Sequence, residues 1–224
     1  MATIVKRSPG RPADPARIAE RKEQILAAAA RQFGAQGYTQ TDVDSVATAA
    51  DTTKGTVYYY FNSKERLFLA AVDAEVRRLK NTVLDAADDA ADDPIEEIKS
   101  VVVTYLRFFY ANPHVVELLI EERATFKDRD KPTYFQHRDL TLPRWYACVE
   151  RLIAEGRARQ CDPKAVVAVL SDCLYGTIFT NYFTGAHRQP EEQAANILRV
   201  VFNGTLVQPI DVEIRDNGHE PEGD

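Results

Sequence analysis

The densest concentration of chemistry in this chain is Thr53-Lys54-Gly55-Thr56-Val57-Tyr58-Tyr59-Tyr60-Phe61, followed closely by Ser63-Lys64-Glu65-Arg66-Leu67. The hydroxyls of Thr53 and Thr56, the ammonium groups of Lys54 and Lys64 and the phenols of Tyr58, Tyr59 and Tyr60 are all hydrogen-bond donors. Together they suit holding an oxyanion. Gly55 has no side chain and lets another backbone approach closely. The free N–H groups of a helix start favour phosphate as well. A tyrosine offers a ring for packing and a hydroxyl for a phosphate or a base edge. On a helix Val57 and Phe61 lie four apart and share an inward face, whereas the three tyrosines fan out over roughly 200° at about 100° per residue. They cannot all be core, so the segment serves packing and contact at once.

No second concentration competes with it. The histidines His114, His137, His187 and His219 fall in no HExxH pattern, and GxSxG, a Walker loop and a Rossmann fingerprint are missing too. The Glu-rich "ELLIEER" lacks the Glu-x-x-His spacing of di-iron bundles. Cys148, Cys161 and Cys173 are odd in number and widely spaced, which is neither a disulfide framework nor a zinc spacing. The expectation is a binding protein with no catalytic residues, no metal and no cofactor. Reduced thiols and the lack of an apolar stretch after Lys6 and Arg7 point to the cytoplasm. The longest apolar run, "AVVAVLSDCLYGTIFTNYF", is broken by Asp172 and Asn181, so a buried helix is expected rather than a membrane span.

The elements that position these residues are helices. Residues 1–66 hold ten Lys/Arg against seven Asp/Glu, while the remainder holds 18 against 27, so a basic front end sits on an acidic body. That asymmetry suits a polyanion partner for the front end alone. Asp14-Pro15 reads as cap and first residue of a helix that Gly37 ends. Thr41 to Ala50 is a short helix, with Thr41 as its cap. Ala50-Asp51-Thr52 is a tight turn requiring a residue that tolerates positive φ, and Asp is one of the few non-glycine residues that does. Thr53 and Ser63 cap the next two helices. Asp93-Pro94, Asn112-Pro113 and Asp162-Pro163 start three more; Pro143 kinks the long helix before Gly156, Gly185 ends another, and the last begins at Pro190. The chain is therefore expected to be all-α with about nine helices, two of them forming a helix-turn-helix over residues 41–61.

"TDVDSVATAADTTKGTVYYYFNSKERLF", Thr41 to Phe68, resembles the TetR family of bacterial transcriptional regulators. The family pattern is a threonine-led short helix, an alanine pair, a tight turn, Gly-Thr-aliphatic-Tyr-x-Tyr/His-Phe, and a Lys-Glu-x-Leu opening the fourth helix. Asp51 departs from it, standing where glycine is usual. The resemblance implies DNA contacts from Thr56, Tyr58 and Tyr60 and a phosphate grip by Lys64; Thr53, Lys54, Gly55 and Tyr59 complete the expected surface. Upstream, "KRSPGRP" resembles the core of an AT-hook, which would place Arg11 in a narrow minor groove; a solvated basic tail is the alternative.

The resemblance also divides the chain: a basic arm (1–14), a helix-turn-helix domain (15–62), a helical effector-binding and dimerisation domain (63–207) beginning with a connecting helix (63–85), and a tail (208–224). The helix from Asp162 to Gly185 is apolar on almost every side and must be covered all round. With the last helix it is expected to form a homodimer interface through Cys173, Gly176, Thr177, Thr180, Ala194, Leu198 and Val201, as the resemblance implies; the alternative is that both helices are core of a monomer. Tyr105, Phe109, His114, Trp145, Tyr175 and Phe179 are candidates for a small-molecule pocket, against the plainer reading of aromatics as core. These expectations describe a DNA-binding regulator, a repressor released from double-stranded operator DNA by an effector. A dimeric DNA-binding regulator without an effector is the alternative.

Overall fold

The computed structural model describes residues 15–203; Arg11, the 1–14 arm and the 208–224 tail lie outside them. Among the described residues there are nine α-helices and no strand: α1 (Pro15–Gln40), α2 (Val43–Ala49), α3 (Lys54–Phe61), α4 (Lys64–Asp89), α5 (Pro94–Ala111), α6 (Pro113–Thr125), α7 (Thr133–Ala154), α8 (Pro163–Thr184) and α9 (Pro190–Asn203). The caps explain most of the boundaries. Thr53, Ser63, Asp93 and Asp162 each accept a backbone N–H in the first turn of α3, α4, α5 and α8. Gly185 closes α8 in the left-handed conformation, at φ 63°.

Five features of the helices differ from expectation. The cap of α2 is Asp42, whose carboxylate accepts the N–H of Asp44. Thr41 is buried, and its hydroxyl donates to the carbonyls of Gly37 and Gln32. Gly37, at φ 77°, does break α1, but one more turn follows to Gln40. Asn112 makes no side-chain cap of α6; its amide donates instead to the carbonyl of Phe108. α7 runs unbroken through Pro143, and α4 extends past residue 85 to Asp89.

α4 holds the molecule together. At 26 residues it is about 39 Å long, at about 1.5 Å per residue. Its first half buries Leu67, Phe68, Ala71, Val72 and Val76, and its second half buries Leu79, all in one continuous core that runs from Ile25 of α1 to Leu198 of α9. α6 packs lengthwise on α1 and ties the two ends again. Around that junction Phe33, Tyr38, Phe68 and Phe126 stack edge-to-face and face-to-face, with ring centroids 5.1–6.0 Å apart.

α8 departs from the expected all-round cover. Its inner side buries Val167, Leu174 and Ile178, but Val169 and Phe183 are 55% and 70% exposed. By length and composition it is also apolar enough to cross a membrane.

Candidate nucleic-acid interface and cavity

α2, the turn and α3 form a helix-turn-helix. Asp51 sits at φ 49°, the positive value the turn requires. Arg21 of α1 reaches across and donates to the carbonyls of Ala50 and Asp51, both at 3.3 Å. The basic character of residues 1–66 thus includes a structural staple, which counting charge could not separate from phosphate-binding residues. Val57 and Phe61 are buried, as their spacing requires.

The three tyrosines take three environments. Tyr59 is 79% exposed and Tyr58 38%. Tyr60 is half-buried against the core, with the Lys22 ammonium 5.7 Å from its ring centre. Thr53, Lys54 and Gly55 are exposed at the start of α3, and the Thr53 and Thr56 hydroxyls are 2.9 Å apart. A Cβ added to Gly55 would meet only the Thr53 hydroxyl, at 3.8 Å. Nothing inside the protein demands glycine here.

Both lysines of the motif are already engaged. Lys54 donates to Asp44 at 2.7 Å and lies 3.5 Å from Asp42, and its pKa is raised, chiefly by the Asp44 hydrogen bond. Asp42 is shifted down, first by the N–H of Asp44 and also by Lys54. The acidic residues of α2 therefore act as an internal counter-ion for the recognition-helix lysine. Lys64 donates to the carbonyl of Thr39 at 3.0 Å and lies over the Tyr38 ring.

In the body, α4, α5, α7, α8 and α9 line a partly open cavity of about 130 Å³. Its walls are mostly aliphatic, with Val76, Leu79 and Val83 from α4, Ile98, Val101 and Val102 from α5, and Val166, Val167 and Leu170 from α8. Of the expected lining residues, Tyr105 and Trp145 are present. His114 is not: it packs against Gly34 between α1 and α6, where burial lowers its pKa. Phe109 lies beside Tyr110 and Tyr182 in a separate cleft, and Tyr175 borders another beside Glu122. Phe179 stacks on Tyr175 and Phe183 instead. The aliphatic walls were missed because they carry the same i, i+3, i+4 spacing as packed core.

The wall residues Tyr105 and Tyr134 share a buried hydroxyl–hydroxyl bond of 2.9 Å. Desolvation raises the pKa of both, Tyr134 to about 12. The "ELLIEER" glutamates do not converge. Glu117 accepts from Tyr182, Glu121 from the backbone N–H of Tyr38, and buried Glu122 from Thr133 while pairing with Arg129. No group of residues fit to hold a metal ion occurs among the described residues.

Of the expected interface residues, Cys173, Gly176 and Thr180 are exposed on the outer face of α8, and Thr177 is half-buried beside them. Ala194 and Leu198 are buried in the chain's own core, and Val201 is half-buried. The period of α9 is that of a helix with one buried side, and here that side faces inward.

The family model described as "Bacterial regulatory proteins, tetR family" matches residues 25–71, which span the whole helix-turn-helix. Residues 25–71 carry the DNA-binding region of the TetR family. The chain is a DNA-binding transcriptional regulator, and its relatives carry the same description. The HTH-type transcriptional regulator EthR of Mycolicibacterium smegmatis is 24% identical over 150 residues, covering 67% of each chain. The HTH-type transcriptional repressor NicS of Pseudomonas putida is 28% identical over 101 residues, covering 45% of this chain and 47% of the relative. In fold, this chain matches the transcriptional regulator FadR of Bacillus subtilis, solved with stearoyl-CoA, at a TM-score of 0.69 and 16% identity, covering 82% of this chain and 99% of that one.

Proposed function

We propose that this chain is a homodimeric TetR-family repressor released from operator DNA by a small apolar effector. The observation that carries the reading is α4. It starts at Lys64, in contact with Thr39 and Tyr38 beside the helix-turn-helix, and its Val76–Val83 stretch is a wall of the cavity. One rigid element thus touches both places.

In this reading the exposed rim of α3 meets the major groove. Lys54 and the N–H groups around Gly55 take phosphates; Thr53, Thr56, Tyr58, Tyr59 and Tyr60 supply phosphate and base-edge contacts, and Lys64 grips the flanking backbone. Lys54 must leave Asp44 to do so. The dimer pairs the exposed apolar stripe of α8, from Ala165 and Val169 through Cys173, Gly176 and Thr180 to Phe183, with its copy. The boundaries follow the helices: residues 15–62 bind DNA, and the body from Ser63 onward senses and dimerises. Two recognition helices must enter major grooves about 34 Å apart. A ligand that wedges the cavity wall of α4 shifts its Lys64 end and spoils that spacing. The relative from Pseudomonas putida is named a repressor and the Bacillus subtilis neighbour was solved with an acyl-CoA, and both support the reading.

The test has two stages. Selection from a random DNA pool should return a palindrome, bound with an affinity that falls steeply as salt rises. Ligand and operator should then weaken one another by the same factor. Equal ligand affinity with and without operator would instead mark the body as a dimerisation module alone.

A further inference from the structure

We propose that the cavity takes a lipophilic monoanion, a carboxylate carried on an apolar chain, with its charge held by Lys80. The inference rests on the reading of the cavity as the effector pocket and specifies the chemistry it selects.

The sign of the lining is the first argument. The chain as a whole is acidic, with 34 Asp/Glu against 28 Lys/Arg. Yet the cavity wall contains Lys80 and Arg138 and not one aspartate or glutamate. A cationic ligand would meet the Lys80 ammonium against mostly apolar walls, with no carboxylate in the wall to offset it. Of the carboxylates next to the wall, Asp73 accepts from Arg77 and His137, Asp139 pairs with Lys131 and Arg138, and Asp172, which follows Ser171, is exposed outside the wall.

The second argument is the state of the polar groups. Arg138 is partly spoken for by Asp139 and by the Phe135 ring. Lys80, half-buried on α4, makes no hydrogen bond or ion pair among the described residues, although a helical lysine has acidic neighbours within reach elsewhere on this chain. Its stem lies beside Val76 and Val83, which border the same cavity. His137, another lining residue, bonds Asp73 through Nε2 at 2.8 Å, while its Nδ1 is sealed from the surface and has no partner among the described residues. With Nε2 donating to the Asp73 carboxylate, Nδ1 of the neutral ring is an acceptor, so it suits a donor such as a hydroxyl and leaves the anion to Lys80. The rest of the wall is aliphatic or aromatic, apart from the Thr141 and Ser171 hydroxyls and the self-satisfied Tyr105–Tyr134 pair. One anionic end and one apolar body match that distribution.

Trp145 is the only tryptophan in the chain and lines the cavity, so its fluorescence reports occupancy directly. The experiment titrates the full chain with decanoate, decanol and decyltrimethylammonium, all below their aggregation limits, and repeats the titrations with Lys80→Met. Decanoate should bind more tightly than decanol, and the ammonium ion should not bind. Lys80→Met should weaken decanoate by roughly tenfold or more, as loss of a charged hydrogen bond does, and leave decanol within about twofold of its original affinity. Lys80→Arg should retain decanoate binding, which separates loss of charge from damage to the wall. Equal binding of decanoate and decanol, or an undiminished decanoate affinity in Lys80→Met, would overturn the anion assignment and leave the pocket standing. If none of the three ligands alters Trp145 emission or melting temperature while operator binding is intact, the pocket reading falls and takes this inference with it.

Discussion

The carboxylate of Glu121, on α6, accepts the backbone N–H of Tyr38, at the end of α1, at 3.0 Å. The other oxygen of that carboxylate, Oε1, lies 3.1 Å from where a Cβ on Gly37 would stand. Tyr38 in turn carries the Lys64 ammonium 4.9 Å from its ring centre. α6 therefore reaches the helix-turn-helix by a polar contact of its own, beside the mechanical route along α4. Two connections of different chemistry make the orientation of α1 a joint property of α4 and α6.

Replacing Glu121 with Ala should leave the Tyr38 N–H unpaired in a half-buried place. The expected cost is about 1–3 kcal/mol of stability. The more specific expectation concerns coupling. With one of two ties cut, ligand and operator should weaken each other by a smaller factor than in the parent chain. Parallel titrations of ligand with and without operator check this; an unchanged coupling factor would confine signalling to α4.

Two glycines in helices should respond oppositely to alanine. A Cβ on Gly34 would stand 2.8 Å from both the Cβ and the carbonyl oxygen of His114, so α1 and α6 must part. Gly34→Ala should lose about 1–3 kcal/mol by overpacking, despite the better helix propensity of alanine. Gly55 has open space around it, so Gly55→Ala should be neutral or gain up to about 1 kcal/mol. It should nevertheless weaken operator binding, since the added methyl stands where a phosphate approaches. Thermal melting and operator titration of both variants read the contrast.

The Asp44–Lys54 pair is a built-in competitor for DNA. Its geometry is short, at 2.7 Å, but both side chains are more than 40% exposed, so its contribution to stability is small. Asp44→Asn should therefore melt close to the parent. Its operator affinity should rise, because Lys54 no longer has to exchange a carboxylate for a phosphate and one local repulsion is gone. The slope of log affinity against log salt separates this from a general charge effect. If Lys54 releases a counter-ion only in the variant, the slope steepens by about one.

Much of this was legible in the chain because it rests on local chemistry. Thr53, Ser63, Asp93 and Asp162 announce helix starts by residue type and by the proline or apolar run that follows. Asp51 reveals a positive-φ turn, and Val57 with Phe61 reveals a face. What stayed hidden depends on which helix lies against which. Ala194 and Leu198 form an apolar stripe whether they face a partner or their own α5, and only the fold decides that they face inward. His114 reads as a polar anchor until Gly34 is found against it. The cavity wall of Val76, Leu79, Val83 and Val102 has the spacing of core because it is core on all sides but one. Arg21 and Lys80 look alike as basic helical residues, yet one staples a turn and the other borders the cavity.

The cysteines test the dimer without mutating it. Cys148 is buried beside Glu97, and desolvation pushes its pKa up to about 12. It holds almost no thiolate at pH 8, so it should ignore an alkylating reagent until the chain unfolds. Folding favours the protonated thiol, so the stability it contributes is complete below about pH 9 and is lost as the pH rises toward 12. Cys161 and Cys173 are both exposed in the single chain. Cys161 should react at once at any protein concentration. Cys173 lies on the α8 stripe beside Gly176, so in a dimer it should be shielded, and its labelling rate should fall as protein concentration rises. Gly176 has nothing within 4 Å of an added Cβ in the single chain, so Gly176→Leu fits the protomer and crowds only a partner. That variant should melt at high dilution like the parent, elute as a monomer, and label at Cys173 as fast as at Cys161. Fast, concentration-independent labelling of Cys173 in the parent chain would mean that the outer face of α8 is not where two copies meet.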